Sequence, residues 1–174
     1  GKRRKNRAGA SVEMIYFFDT SALQHRYLSS QKSRGIRRTI SDRRNTCLIS
    51  SMSILEIASA FGLHCRRHSW SLAVYRRLDR KFWSDIGSGI LQVREAGQLE
   101  YRRALHLLEY AGAELKRNIS SADALIAATC LELALERSER VKFCLEDKRL
   151  YSAIRQLDAY KSAIDFRYIG PPIA

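Results

Sequence analysis

Four acidic residues share one kind of position in the sequence, at or near the start of a helical pattern. They are Asp19, Glu56, Asp123 and Asp147. The first follows the apolar run IYFF and the last follows VKFCL, whereas the other two lie at the starts of helical segments, in SSMSILEIASAF and SSADALIAA. Strand C-termini and the helix N-termini that follow them meet at one edge of a parallel α/β sheet. We therefore expect these four carboxylates to converge.

Converging carboxylates repel one another, and the repulsion raises their pKa values. A divalent cation relieves the repulsion by neutralising the cluster. An all-oxygen acidic site without histidine or cysteine suits Mg²⁺ or Mn²⁺ and not Zn²⁺. The four acids therefore predict a magnesium or manganese site.

Helix capping is the alternative explanation for three of the acids, since carboxylates in a first helical turn accept hydrogen bonds from free N–H groups. The patterns are a capping box at Ser53-x-x-Glu56, a similar one at Ser120-x-x-Asp123, and an N-cap at Asp147. Asp19 differs, because Ser21-x-x-Gln24 already predicts a capping box for the helix that follows. The coincidence of four acids favours the metal site.

The elements that would position these acids alternate along the chain. Strand-like runs occur at Met14–Phe18, Cys47–Ser50, Ile90–Val93, Val141–Leu145 and Phe166–Ile169. Helical patterns occupy 53–63, 69–83, 98–116, 121–136 and 148–158. Strands that alternate with helices predict an α/β fold, with a mostly parallel central sheet flanked by helices in three layers.

Length and charge set the broad class of protein. The chain has 174 residues, a formal net charge of +13 and a pI near 10.0, which favours a polyanionic partner such as nucleic acid. We interpret 1–13 as a basic N-terminal extension or expression remnant and 14–174 as a single domain, which retains a charge of +9. No apolar run approaches the roughly 18 residues of a membrane helix, and none follows the basic start as a signal core.

The cysteines form no CxxC pair, and three of them lie in apolar segments, at Cys47, Cys130 and Cys144. This pattern is typical of buried thiols in a reducing compartment, so we expect a cytoplasmic protein. His64 and His68 lie four residues apart with Cys65 between them, which is too few ligands for a zinc site. A surface or partner-contact role is the preferred interpretation for these histidines.

The motifs FFDTSAL, ISSMSILEIASAF, SSADALIAATCLELA and VKFCLEDKRL, in this order, resemble those of PIN-domain ribonucleases, and of VapC-type toxins of toxin–antitoxin pairs in particular. The resemblance spans about 14–170. It implies that Asp19, Glu56, Asp123 and Asp147 hold Mg²⁺ or Mn²⁺ for hydrolysis of RNA phosphodiester bonds, with Ser21 supporting the site. In that mechanism the metal activates water for in-line attack and stabilises the leaving oxygen.

The sequence departs from this resemblance at Leu145, where family members often carry Thr or Ser two residues before the fourth acid. The change removes a hydroxyl that could orient Asp147, and Glu146 becomes a possible substitute ligand. The departure at Leu145 favours one alternative, a non-catalytic RNA-binding PIN-like module. A separate alternative also stays open, an RNA-processing PIN nuclease without an antitoxin.

The resemblance also implies partners. These are an RNA substrate, a cognate antitoxin whose C-terminal segment would cross the acidic crevice, and a second copy of the chain, docked through the apolar helices around 53–63 and 69–83. Seven Lys/Arg between Arg26 and Arg44, and six between Arg66 and Lys81, fit RNA phosphates as a group. For Trp70 and Tyr75, which lie among them, we expect burial in the core.

Overall fold

The computed structural model describes residues 14–137 and 140–171, so the predicted extension at 1–13 lies outside the described residues. The strands are β1 (Met14–Phe18), β2 (Asn45–Ser50), β3 (Gln92–Arg94), β4 (Val141–Leu145) and β5 (Ile164–Tyr168). The helices are α1 (Thr20–Leu23), α2 (Ser33–Ser41), α3 (Met52–Arg67), α4 (Leu72–Gly87), α5 (Gln98–Ala113), α6 (Ser121–Glu136), α7 (Lys148–Ile154) and α8 (Asp158–Ala163). A short 3₁₀ turn, Gln24–Arg26, follows α1.

All five strands are parallel and lie in the order β3-β2-β1-β4-β5, which confirms the predicted α/β class. Because successive strand residues point to opposite faces, β1 contributes to two cores. Ile15 and Phe17 pack against α5, α6, α7 and α8, whereas Phe18 packs against α1, α2, α3 and α4. The result is the expected three layers, with helices on both faces of the sheet.

Every predicted strand and helix has a counterpart in the structure, but more than half of their ends differ from the predicted ones, by one to four residues. The helix expected at 148–158 ends at Ile154, and a separate helix, α8, begins at Asp158. α2 was not predicted from the sequence; its Ile36 and Ile40 are buried one turn apart among arginines. α6 is buried along most of its length, as its continuous apolar composition predicted. None of the described helices is both long enough and apolar enough to span a membrane.

A buried ion pair joins α4 to the segment after α1. Arg26 donates through Nε and Nη2 to the Asp85 carboxylate, each at 3.1 Å, and Tyr27 donates its hydroxyl to the same carboxylate at 2.9 Å. Arg26 also donates to Ser41 Oγ at the end of α2, at 2.8 Å. This network holds the segment after α1 against α4 and against the end of α2.

Candidate metal centre

Asp19 stands where β1 ends and α1 begins, and it is 1% exposed. Its Oδ2 accepts from the Ser21 backbone N–H at 3.1 Å and from the Ser21 hydroxyl, so Asp19 is itself the N-cap of α1. The capping box predicted at Ser21-x-x-Gln24 is therefore wrong, and the Gln24 amide instead donates to the Ser21 carbonyl at 3.0 Å. Asp19 Oδ1 is buried and has no hydrogen-bond partner among the residues described.

Ser21 connects the two central strands at this edge of the sheet. While its hydroxyl donates to Asp19, it accepts from the backbone N–H of Glu146 at 2.8 Å and of Asp147 at 3.3 Å. The loop after β4 is thereby held against the carboxylate that follows β1. This arrangement gives the supporting role predicted for Ser21 a physical basis.

Asp123 and Asp147 cap helices, as their alternative explanation predicted. The backbone N–H of Asp123 donates to Ser120 Oγ at 3.0 Å, and its carboxylate accepts from the Ser120 N–H at 3.3 Å. Asp147 Oδ1 accepts from the Leu150 N–H at 2.8 Å at the start of α7. Capping and convergence do not exclude each other, because a carboxylate offers more lone pairs than a single cap uses.

Glu56 plays no capping role, so the box predicted at Ser53-x-x-Glu56 is wrong. α3 begins at Met52, which places Glu56 beyond the first turn. The Ser53 side chain is buried, and its hydroxyl has no hydrogen-bond partner in the described chain. The Met52 N–H is bound instead by Ser50 Oγ at 3.3 Å, so the Glu56 carboxylate is free of the helix end.

Three of the four acids meet closely. Oxygen atoms of Asp19, Glu56 and Asp123 all lie within 4.8 Å of one another. Asp147 lines the same cavity, which has a volume of about 340 Å³, but it is not a member of this closest set. The four acids therefore line one cavity, as expected from the sequence, and each comes from a separate segment of the chain.

The electrostatics of the crevice suit a cation. Burial, and then the neighbouring Asp123 and Glu56 carboxylates, raise the pKa of Asp19 to about 7 against the lowering effect of Ser21. Burial also raises the pKa of Glu56, against the nearby Thr20 hydroxyl and with the help of Asp123. The pKa of Asp123 rises through burial, despite the Ser120 hydrogen bonds, and Asp147 adds to the rise. A divalent cation would reverse these shifts by stabilising the charged forms.

The donor set fits a hard divalent ion. It consists of carboxylate oxygens, and the buried Asp19 Oδ1 points to a missing positive partner. The possible zinc pair is not supported: no described histidine or cysteine joins a cluster of three or more metal-binding side chains. The imidazoles of His64 and His68 instead stack on each other, with centroids 5.8 Å apart.

Leu145, at which the sequence departs from the resemblance, and its neighbour Glu146 both make defined contacts in the structure. Leu145 is fully buried in the core formed with α5 to α8. The Glu146 carboxylate is bound by Lys32 and by His25 Nε2, the latter at 2.6 Å, so it is paired away from the three-carboxylate set. Burial opposes these bonds, but they outweigh it and hold the pKa of Glu146 below its ordinary value. The Asp147 backbone N–H donates to the Ser21 hydroxyl at 3.3 Å.

The basic and aromatic residues divide into buried and exposed ones. Arg26 is buried against Asp85, so it does not belong to a phosphate-binding surface. Tyr75 packs partly buried against the core, as expected. Trp70 is 40% exposed, and its predicted burial is wrong. The tryptophan follows the end of α3, where the chain turns and the ring packs on His68 instead of the sheet.

Comparison with known proteins supports the fold. The chain is similar to a protein in the crystal structure of VapBC2 from Rickettsia felis bound to a DNA fragment from their promoter. The TM-score is 0.53 and the sequence identity 14%, over 88% of this chain and 98% of that one. No protein-family model matches the sequence, and no curated protein matches it. The similarity is one of fold, and it is consistent with a PIN-like arrangement of the five-stranded α/β sheet and its helices.

Proposed function

We propose that this chain is a Mg²⁺- or Mn²⁺-dependent ribonuclease that hydrolyses RNA phosphodiester bonds, and the toxin of a toxin–antitoxin pair. The observation that carries the proposal is the convergence of Asp19, Glu56 and Asp123 within 4.8 Å. They meet at the strand ends of a fold similar to a chain of VapBC2, where α/β proteins bind their ligands.

Asp19 and Asp123 are the proposed direct ligands, Glu56 ligates or accepts a proton through water, and Asp147 completes the set. When bound, a divalent ion supplies charge neutralisation at the phosphate and a lowered pKa of water. The chain's own contribution is positional. Ser21 fixes Asp19 and the Asp147 backbone together, so the two carboxylates keep their separation when the polyanionic substrate arrives.

The proposed partners follow from the same reasoning. A net charge of +13 favours RNA as the polyanion, and the similarity to a VapBC2 chain supports an antitoxin as a protein partner. Exposed apolar side chains on α3 and α4, namely Leu55 and Leu72, support a homodimer. We also propose that the protein acts in the cytoplasm, since all four cysteines are free thiols.

The test is cleavage of single-stranded RNA by purified protein with Mn²⁺, with Mg²⁺ and with EDTA. We expect cleavage with either metal and none with EDTA. Asp19→Asn should lower the cleavage rate at least about a hundredfold, since loss of a metal ligand should cost more than loss of a residue that only hydrogen-bonds to a ligand. Asp165→Asn removes an exposed acid on β5 and is the matched control, expected to cleave normally.

Two results would contradict the proposal: cleavage that survives EDTA, or a folded Asp19→Asn protein with full activity. Binding of RNA without cleavage by the wild type would favour the non-catalytic RNA-binding module. Isolation of the toxin with a small bound protein, released on denaturation, would distinguish a toxin from an RNA-processing nuclease.

A further inference from the structure

A second cavity adjoins the carboxylate cavity. It has a volume of about 440 Å³, and Ser21 and Asp147 line both cavities. Its other walls include His25, His64 and Lys148. A chain molecule held at the carboxylates therefore lies next to this second space.

A row of planar rings leads from the second cavity toward solvent. His64, on the cavity wall, stacks on His68 with an interplanar angle of 13°. His68 in turn stacks with Trp70, with centroids 5.1 Å apart and an angle of 26°. Since Trp70 is 40% exposed, the row ends in an accessible aromatic surface.

The turn at the end of α3 positions these rings, and it contains a residue in an unfavourable backbone conformation. The Trp70 N–H donates to the Cys65 carbonyl at 2.9 Å and the Ser69 N–H to the Arg66 carbonyl at 3.4 Å, the pattern that closes a helix with a left-handed residue. Ser69 takes that conformation with φ 52°, although glycine is the usual residue there. The turn folds the chain back, so that the Trp70 ring lies on His68.

Positive charge accompanies the rings. Arg66 and Arg67 are exposed in the last turn of α3, and Lys148 is exposed beside the second cavity. Within the described part of the chain, none of the three forms an ion pair with a carboxylate. Cations flanking stacked aromatic rings are the combination that binds single-stranded nucleic acid, because phosphates and base faces are both satisfied.

We infer that the stacked rings of His64, His68 and Trp70 form a platform whose exposed end, Trp70, stacks on an unpaired base of an RNA strand that leaves the carboxylate site along the second cavity. That this strand is the substrate rests on the proposed function. Duplex RNA should not use the platform, since its base faces are already stacked.

The chain offers a direct measurement, because Trp70 and Trp83 are its only tryptophans. Trp83 is 49% exposed on α4, lines neither cavity and packs on Phe82, so it is a matched control. Trp83→Phe leaves Trp70 as the sole tryptophan, and Trp70→Phe leaves Trp83 as the sole tryptophan. Both changes are made in Asp19→Asn protein in EDTA, and each protein is titrated with an unstructured uridine oligomer of about ten nucleotides.

We expect saturable quenching of Trp70 fluorescence, none of Trp83, and none of either by a duplex of the same length. A protein with His68→Ala and Trp70→Ala should bind the oligomer about tenfold more weakly, whereas Trp83→Ala should change binding less than about twofold. Absence of Trp70 quenching, equal quenching of both tryptophans, or equal quenching by duplex would overturn the platform. Quenching of Trp70 in a protein whose wild type never cleaves RNA would overturn the nuclease proposal and support the platform.

Discussion

At the scale of single residues, Asp19 makes the stability of the metal-free protein depend on pH. Its pKa is about 7 in the folded protein and near 3.8 in the unfolded chain. Between these values the folded protein holds a proton that the unfolded chain has released, so the free energy of unfolding falls as pH rises from about 4 to about 7. The expected fall is a few kcal/mol, and the raised pKa values of Glu56 and Asp123 add to it with the same sign.

Thermal unfolding in EDTA across this pH range would measure the effect. Asp19→Asn should flatten much of the decline, because its amide carries no charge to desolvate. Addition of Mg²⁺ near pH 8 should raise the Tm of the wild type and leave the variant nearly unchanged. An equally steep decline in the variant would assign the pH dependence to other groups.

Ser21 is a positioning residue, and its hydroxyl serves one carboxylate oxygen and two backbone N–H groups. Ser21→Ala would remove one of the two hydrogen bonds to Asp19 Oδ2 and the side-chain acceptor of the two N–H groups, so we expect about tenfold weaker Mn²⁺ binding and a loss of roughly 1–3 kcal/mol in stability. Calorimetric titration and denaturant unfolding would give the two numbers. Ser21→Thr keeps the hydroxyl and should restore most of the Mn²⁺ affinity and most of the stability. Ser29→Ala, at an exposed serine, is the control and should match the wild type. A Ser21→Thr protein that binds Mn²⁺ as weakly as Ser21→Ala would refute the role of the hydroxyl.

At the scale of elements, the Arg26–Asp85 pair is the polar connection between α4 and the segment after α1. Asp85→Asn would leave the Arg26 guanidinium buried without a counter-charge, which costs about 3–5 kcal/mol. A protein of this size should then lose on the order of 10 °C in Tm, measurable by circular dichroism. Asp79→Asn, on the same helix, is the matched control, and a similar loss there would show a general helix effect instead.

The sequence predicted elements best where one physical signal dominated. The buried strands at Met14–Phe18 and Val141–Leu145 and the helix at 121–136 have their predicted bounds, because continuous apolar residues decide burial directly. Ends were less predictable because several side chains compete for the same cap. Ser50, not Ser53, binds the first turn of α3, and Asp19, not Ser21, caps α1.

The candidate site was predictable in its location but not in its geometry. Parallel topology alone brings the ends of β1 and β4 together with the starts of α3 and α6, so convergence of their acids follows from element order. Which three carboxylates meet within 4.8 Å depends on side-chain packing that no spacing encodes. The exposure of Trp70 depends in the same way on the left-handed Ser69.

At the scale of the whole molecule, the excess of positive charge should make RNA binding depend steeply on salt. Each phosphate neutralised by a cation contributes about −0.7 to the slope of log K against log salt for a single strand, so six contacts give about −4. Fluorescence anisotropy in EDTA over about 50 to 300 mM NaCl would measure the slope. Arg66→Ala should make the slope shallower by about 0.7, whereas Arg102→Ala, on the opposite face of the sheet, should leave it unchanged. Equal effects of the two substitutions would indicate diffuse electrostatic attraction without a defined binding path.

The strand order also sets when the carboxylates can come together during synthesis. The Asp19 N–H donates to the carbonyl of Cys144 at 2.9 Å, so the central strand acquires this neighbour only after more than a hundred further residues have been made. Asp123 and Asp147 are likewise made more than a hundred residues after Asp19. For a protein that attacks RNA as proposed, a nascent chain therefore stays harmless to the messenger and ribosome that are producing it until α6 and β4 have emerged. The order of the elements along the chain thus delays assembly of the carboxylate site until most of the protein has been made.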